Sequence, residues 1–167
     1  PERVTDGSLV GIMGRANYEC EHDKRWYPLI PCPRSKTLFG YTENYRRIQE
    51  TGNVVLFESE KAVQQCDSFG SNIALATCGC HVSETQARYI KKLFPKKVIL
   101  AYDEGLEEEH LINECKKLIV NNPILKTKVG YIWPEDLIPA NSKMNIADLG
   151  RKVYQEGLTK HVKWVRE

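Results

Sequence analysis

The 167-residue chain has no apolar run long enough to cross a bilayer: stretches such as Val54 to Phe57 and Val98 to Ala101 fall far short of the roughly 18 residues required. No charged-then-apolar signal segment opens it. Internal repeats and low-complexity linkers are missing as well, which sets aside disorder, collagen and coiled coil as main architectures. The net charge of +2 is too small to announce a nucleic-acid partner by itself. What remains is ordinary globular composition, 41% hydrophobic and 28% charged, in a length that suits one compact domain or a domain with a small added lobe. The expectation is a soluble protein. Because the sequence opens on Pro1 rather than Met, it also reads as an excised piece whose neighbouring domains hold part of the function.

Six cysteines, Cys20, Cys32, Cys66, Cys78, Cys80 and Cys115, are too few for a disulfide scaffold at this length, so reduced thiols are expected. Cys66, Cys78 and Cys115 sit in apolar patterns where a small soft side chain packs well. The group Cys78-Gly79-Cys80-His81 suggests a metal site, but no C-x2-C pair exists to complete a tetrahedral zinc centre. Cys20 with His22 and Cys32 is a weaker grouping. The reading is packing, with no zinc in this chain.

Charge distribution carries more than net charge. Between Lys24 and Arg47 lie six basic residues, Lys24, Arg25, Arg34, Lys36, Arg46 and Arg47, against the single acid Glu43. Trp26, Tyr27, Phe39, Tyr41 and Tyr45 are interleaved with them. Basic side chains neutralise phosphates and aromatic rings stack on bases; a solvated basic face over core aromatics explains the same pattern. From Asp103 to Glu109 the sign reverses, with five of seven residues acidic.

Periodicity divides the chain in two. In the first part, about 1–52, Leu9 to Met13 reads as a strand and Thr42 to Glu50 as a helix, while Pro28, Pro31 and Pro33 argue against regular structure around them. In 53–167, strands at Val54 to Phe57, Ile73 to Thr77, Lys97 to Tyr102 and Lys128 to Trp133 alternate with helices. Those helices fall near Glu60 to Phe69, Ser83 to Leu93 and Leu106 to Asn121, with another after Asn145. Ser83 and Gln86 form a capping box, and Leu111, Cys115 and Leu118 with Ile112 and Ile119 make an apolar stripe. Strands joined through helices imply an α/β fold with a parallel sheet covered by helices on both faces, whose sites gather at the carboxyl ends of the strands.

Two acids occupy that edge. Glu58 follows Val54-Val55-Leu56-Phe57, and Asp103 follows Val98-Ile99-Leu100-Ala101-Tyr102. Two carboxylates from different strands can converge on Mg²⁺, a hard cation that joins one or two carboxylates to substrate phosphates. Alternatively each acid caps the helix after it; their pairing favours the metal.

These residues carry a resemblance. Glu58 after its strand, Gly70 and Ala74 to Gly79, and Val98 to Asp103 look like the TOPRIM domain of topoisomerases and DnaG-type primases. Ahead of them, Asp6-Gly7, Gly11, Gly14-Arg15, Lys36, Phe39 and Gly40-Tyr41 resemble the small basic subdomain that precedes TOPRIM in those primases. Glu58-Ser59-Glu60-Lys61 and Asp103-Glu104-Gly105 look most like primases of bacteriophages and related mobile elements. The chain departs from the family at Ser59, where glycine is usual, and at Gly105, where the Asp-x-Asp motif has its second acid.

The resemblance implies a TOPRIM (Rossmann-like) parallel sheet at 53–167, preceded by a small mixed α+β subdomain at 1–52. It implies the catalytic core of a primase making short RNA primers on single-stranded DNA from ribonucleoside triphosphates, in a bacterial or phage-infected cytoplasm, beside a replicative helicase. Glu58 would be the catalytic residue. Asp103, with Glu104, Glu107 or Asp148 replacing the missing acid, would hold Mg²⁺ or Mn²⁺. Asp148 has an equally good reading as a first-turn helix acid. Arg15, Arg34, Lys36 and Lys61 would meet template or nucleotide phosphates. Two rivals stand beside this reading: a degenerate TOPRIM module that binds single-stranded DNA or a helicase without catalysis, and a TOPRIM nuclease or topoisomerase fragment.

Overall fold

The computed structural model describes residues 2–3, 6–19, 21, 26–120 and 126–165. Cys20, His22, Lys24, Arg25 and Asn121, all singled out above, lie outside them. Near the amino end, β1 (Glu2–Arg3), β2 (Leu9–Arg15) and β3 (Trp26–Ile30) form a three-stranded antiparallel sheet in that order. β3 corrects the expectation drawn from its prolines. Among the described residues it pairs with β2 alone, and an edge strand tolerates a residue with no N–H to donate, so Pro28 sits opposite Met13 where the ladder shifts register.

A 3₁₀ turn at Arg34–Lys36 leads to α1 (Tyr41–Thr51). The entry to α1 is tight. Gly40 has φ +82°, and a Cβ there would stand 2.9 Å from Val63 Cγ1 and 3.0 Å from the Ala74 carbonyl, so glycine is required. Just before it, Phe39 exchanges backbone hydrogen bonds with Ala76 and covers the edge of the main sheet.

The main sheet runs through β4 (Asn53–Phe57), α2 (Glu60–Ser68), β5 (Ala74–Ala76), α3 (Glu84–Lys92), β6 (Lys97–Leu100), α4 (Glu108–Leu118), β7 (Lys128–Ile132), α5 (Arg151–Lys160) and β8 (Val162–Trp164). Its order is β5-β4-β6-β7-β8, parallel throughout except for β8. Strand alternation sorts the core into two layers. Val54, Leu56, Val98 and Leu100 pack on Ile48 of α1, Ile90 of α3 and Leu111, Cys115 and Leu118 of α4. Val55, Phe57, Ile99 and Ala101 pack on Val63 and Cys66 of α2 and Tyr154 of α5.

Sequence periodicity missed β8, a three-residue strand with two exposed positions. Its signal lay in β7, where Gly130 lets β8 approach closely: a Cβ would come within 2.7 Å of the Lys163 carbonyl. No helix among the described residues is long and apolar enough to cross a membrane.

The order places β5 and β7 on opposite sides of the β4–β6 pair, so the chain leaves β4 in one direction and β6 in the other. Such a switch point opens a crevice beyond the carboxyl ends of those two strands. Gln86 helps fix its rim. Buried at 1% exposure, it completes the capping box with Ser83, and its Nε2 reaches the carbonyls of Thr77 and Thr37 at 2.9 Å and of Arg34 at 3.1 Å. Replacing Gln86 with Ala leaves buried carbonyls unpaired and removes half of the cap, so we expect a loss of about 2 kcal/mol. That corresponds to a melting point lower by roughly 4–8 °C for a domain of this size. A thermal melt showing no change would mean that water replaces all of these bonds.

Candidate active site

A cleft of about 530 Å³ lies over the β4–β6 crevice, with Met13, Arg15 and Trp26 of the small sheet on one side and Glu58, Asp103, Asn145 and Asp148 on the other. Glu58 and Asp103 are joined directly, since the Asp103 backbone N–H donates to Glu58 Oε1 at 3.1 Å. Neither acid caps a helix. The N-cap of α2 is Ser59 and that of α4 is Glu107, each without a side-chain capping bond.

Asn145 was not foreseen as a site residue. It is 2% exposed, and its Nδ2 donates to Asp103 Oδ1 at 2.8 Å while its backbone N–H donates to Asp148 Oδ2 at 3.2 Å. One buried residue thus positions two carboxylates, through its side-chain amide and its backbone N–H. The Asn-x-x-Asp spacing of a capped turn was the available signal, but a turn of this kind reads the same on any helix entry. Asp148 is not a first-turn acid of α5, which begins three residues later with no acid in that turn. Its Oδ1 instead accepts from Lys61 Nζ and, at 3.2 Å, from Gln65 Nε2.

Electrostatics separate the three acids. Burial, followed by the neighbouring charge of Asp103, pushes Glu58 up to about 7. Burial, followed by the charge of Asp148, raises Asp103 despite its bond from Asn145. Burial acts the same way on Asp148, but Lys61, the Asn145 N–H and Gln65 together outweigh it and hold that carboxyl below its ordinary value. The cleft therefore has one acid whose charge its neighbours favour and two whose charge burial disfavours.

The remaining predicted residues divide. Arg34 and Lys61 line the cleft with Arg15, joined by Lys143. Arg15 lies 5.4 Å from the centre of the Trp26 ring, and Arg34 Nη2 is held by Met13 Sδ at 3.2 Å. Lys36, at the end of the 3₁₀ turn, does not line the cleft. Arg46 and Arg47 pair with Glu50 on the exposed side of α1. Glu104 and Glu107 also fall elsewhere, facing a recess of about 350 Å³ shared with Glu108, Trp133, Pro134 and Glu135. For Glu107 to replace the missing acid from one helical turn along, a helix would have to continue from Asp103. The chain turns at 104–106 instead, with Gly105 at φ +107°, and α4 starts at Glu108. A larger, mostly apolar groove of about 870 Å³ beside α3 and α4 contains none of the predicted site residues.

No family model matches the chain. The SPbeta prophage-derived uncharacterized protein YorJ of Bacillus subtilis is 26% identical over 140 residues, covering 71% of this chain and 37% of that protein. Among solved structures, the Aquifex aeolicus primase comprising zinc-binding and RNA polymerase domains matches with a TM-score of 0.76 at 18% identity, over 99% of this chain and 40% of that one. A DNA primase domain from Pseudomonas aeruginosa matches with a TM-score of 0.75 at 16% identity, over 98% and 50%. A DnaG primase catalytic domain bound to single-stranded DNA matches at 0.70 and 13% identity, over 97% and 50%. The chain has the fold of DnaG-type primase catalytic cores and spans about half or less of the length of these relatives.

The acid cluster makes stability depend on pH in a defined direction. The folded state binds the Glu58 proton more tightly than an unfolded chain with the ordinary value of 4.5, so the associated stability is full below 4.5 and is lost as pH rises through about 7. Glu58→Gln mimics the protonated form. Its stability relative to the parent should rise between about pH 5 and pH 7 and level off above, in urea melts without divalent metal; a flat difference would mean that Glu58 titrates normally.

Proposed function

We propose that this chain is the polymerising core of a DnaG-like primase, joining ribonucleotides into short primers on single-stranded DNA by metal-dependent nucleotidyl transfer. One observation carries the reading: Glu58, Asp103 and Asp148 face Arg15, Arg34, Lys61 and Lys143 within a single cleft at the switch point of the sheet. A site for a triphosphate and a polynucleotide needs anions for a cation and cations for phosphates, and here both sets are within one opening.

The residues fit Mg²⁺. Oxygen donors on two strand ends and the turn before α5, two of them shifted toward their neutral forms chiefly by burial, suit a hard cation that keeps some of its waters. Glu58, Asp103 and Asp148 would hold it; when bound it supplies positive charge beside the reacting phosphate. Asn145 keeps Asp103 aimed into the cleft. The Glu58 carboxylate, which lines the same cleft at the end of β4, would take the proton from an attacking 3′ hydroxyl. Arg15, backed by Trp26, and Arg34 meet phosphates, and the half-exposed Trp26 ring offers a surface on which a base can stack. Ribonucleoside triphosphates, a single-stranded template and a replicative helicase are the partners this reading implies.

A second reading keeps DNA binding without catalysis. Gly105 stands in place of the family's second acid, and neither Glu104 nor Glu107 enters the cleft to replace it. Primer synthesis from labelled ribonucleotides on a single-stranded template, with and without Mg²⁺, separates the two; no product at any Mg²⁺ concentration favours the binding module.

Within that assay, Asn145→Ala should cost roughly 10–100-fold in metal affinity or activity, as outer partners of metal ligands generally do. Asp103→Asn should cost more, and Glu107→Gln little. A loss for Glu107→Gln equal to that for Asp103→Asn would move the metal to the other recess.

For template binding, Arg15→Ala and Arg34→Ala should each lower the salt slope of single-stranded DNA affinity by about 0.7, the value of one phosphate contact. Lys36→Ala should change it less. Fluorescence anisotropy across a salt series reads this directly, and a slope unchanged in both arginine variants would place the template path outside the cleft.

A further inference from the structure

The loop after β5 and the first turn of α4 bring Cys80, His81 and His110 together. One potential ligand atom of each lies within 4.8 Å of those of the other two, an arrangement found at no other group of His, Cys, Asp and Glu among the described residues. The two imidazoles meet edge to face with centroids 4.9 Å apart. Each ring also has one nitrogen turned to an oxygen: His110 Nε2 to the Cys80 carbonyl at 2.8 Å, and His81 Nδ1 to Glu114 Oε1 at 3.3 Å. Metal-binding histidines are usually oriented in this way, by an N–H given to a carbonyl or carboxylate while the second nitrogen faces the ion. Those bonds leave His81 Nε2 and His110 Nδ1 uncommitted to either oxygen.

We infer that Cys80, His81 and His110 form a second metal site, distinct from the acid cleft, that binds one Zn²⁺ with a fourth position open to water. A thiolate and two imidazoles are borderline-soft donors that suit zinc and reject Mg²⁺. Sequence spacing had set zinc aside because Cys78-Gly79-Cys80-His81 has no partner pair nearby; α4 supplies the third ligand from a distant segment. Glu114 is the orienting partner. It is 3% exposed and held in place by Lys117 at 2.7 and 2.8 Å and by the Val82 N–H at 2.7 Å. Binding releases the Cys80 thiol proton to solvent and forms the S–Zn bond without any redox change.

The location gives the ion a role. Cys78 and Gly79 of the same loop line the acid cleft, and the Gly79 N–H donates to the Glu58 carbonyl at 3.1 Å. An ion bridging the loop to α4 pins the backbone that borders Glu58.

The test is a titration of the chelator-stripped chain with Co²⁺ alone and then Zn²⁺ alone. One equivalent of Co²⁺ should give a thiolate-to-cobalt charge-transfer band and the visible absorption of a tetrahedral ion, both bleached by one equivalent of Zn²⁺. Cys80→Ser should abolish the charge-transfer band, and His110→Ala and the exposed-site variant His81→Ala should weaken Zn²⁺ binding at least about 10-fold. Circular dichroism confirms that each variant is folded. Cys78→Ser and Asp103→Asn should retain the full charge-transfer band. Absence of the band in the folded parent, its persistence in Cys80→Ser, or its loss in Cys78→Ser would each overturn the inference.

Discussion

Two carboxylates at the ends of neighbouring parallel strands, half buried and close enough for one to accept the other's backbone N–H, set the conditions that the rest of the site satisfies. Like charges so placed resist ionisation, and their surroundings divide the burden unequally. Asn145 steadies Asp103 with a neutral dipole, while Asp148 receives a full positive charge from Lys61. The outcome is a cleft in which burial and neighbouring charge weigh against ionising Glu58 and Asp103, while Lys61 supports the charge of Asp148. The arginines come from outside the parallel sheet, so the small antiparallel sheet and the turn at Arg34–Lys36 complete the site.

This division explains which parts of the molecule were legible in the sequence. Glu58 and Asp103 were visible because each ends an apolar run, and the position of a residue just after a buried strand fixes where its side chain emerges. The two core layers were visible for the same reason, since Val54, Leu56, Val98 and Leu100 alternate strictly with Val55, Phe57, Ile99 and Ala101. Ser83 and Gln86 announced their cap, although nothing in the pattern showed that Gln86 also reaches across to Thr37 and Thr77.

What escaped notice depends on tertiary placement. Pro28 argues against a strand unless that strand is an edge, and being an edge is a property of the sheet. Glu107 lay one helical turn from Asp103 only if the helix ran straight on, and Gly105 sends the chain another way. The basic run was contiguous in sequence but not in space: Arg34 enters the cleft, Arg46 and Arg47 turn to Glu50, and the arginine that joins Arg34 is Arg15, from an earlier strand. Asn145 carries no charge, so no count of acids or bases could single it out.

The loop from Cys78 to Val82 belongs to both halves of this account. One end lines a cleft of hard oxygen donors and gives an N–H to the backbone of Glu58; the other brings a thiol and an imidazole beside His110. Hard and soft donors select different ions, so the two clusters need not compete even though a few residues of backbone join them. Each also has a polar residue that holds its ligands in place, Asn145 for the acids and Glu114 for His81. Thr77 Oγ1 and the Gly79 N–H tie this loop to the end of β4, donating to the carbonyls of Phe57 and Glu58. The geometry of Glu58 thus depends on contacts made by the loop after β5 as well as on the strand that carries it.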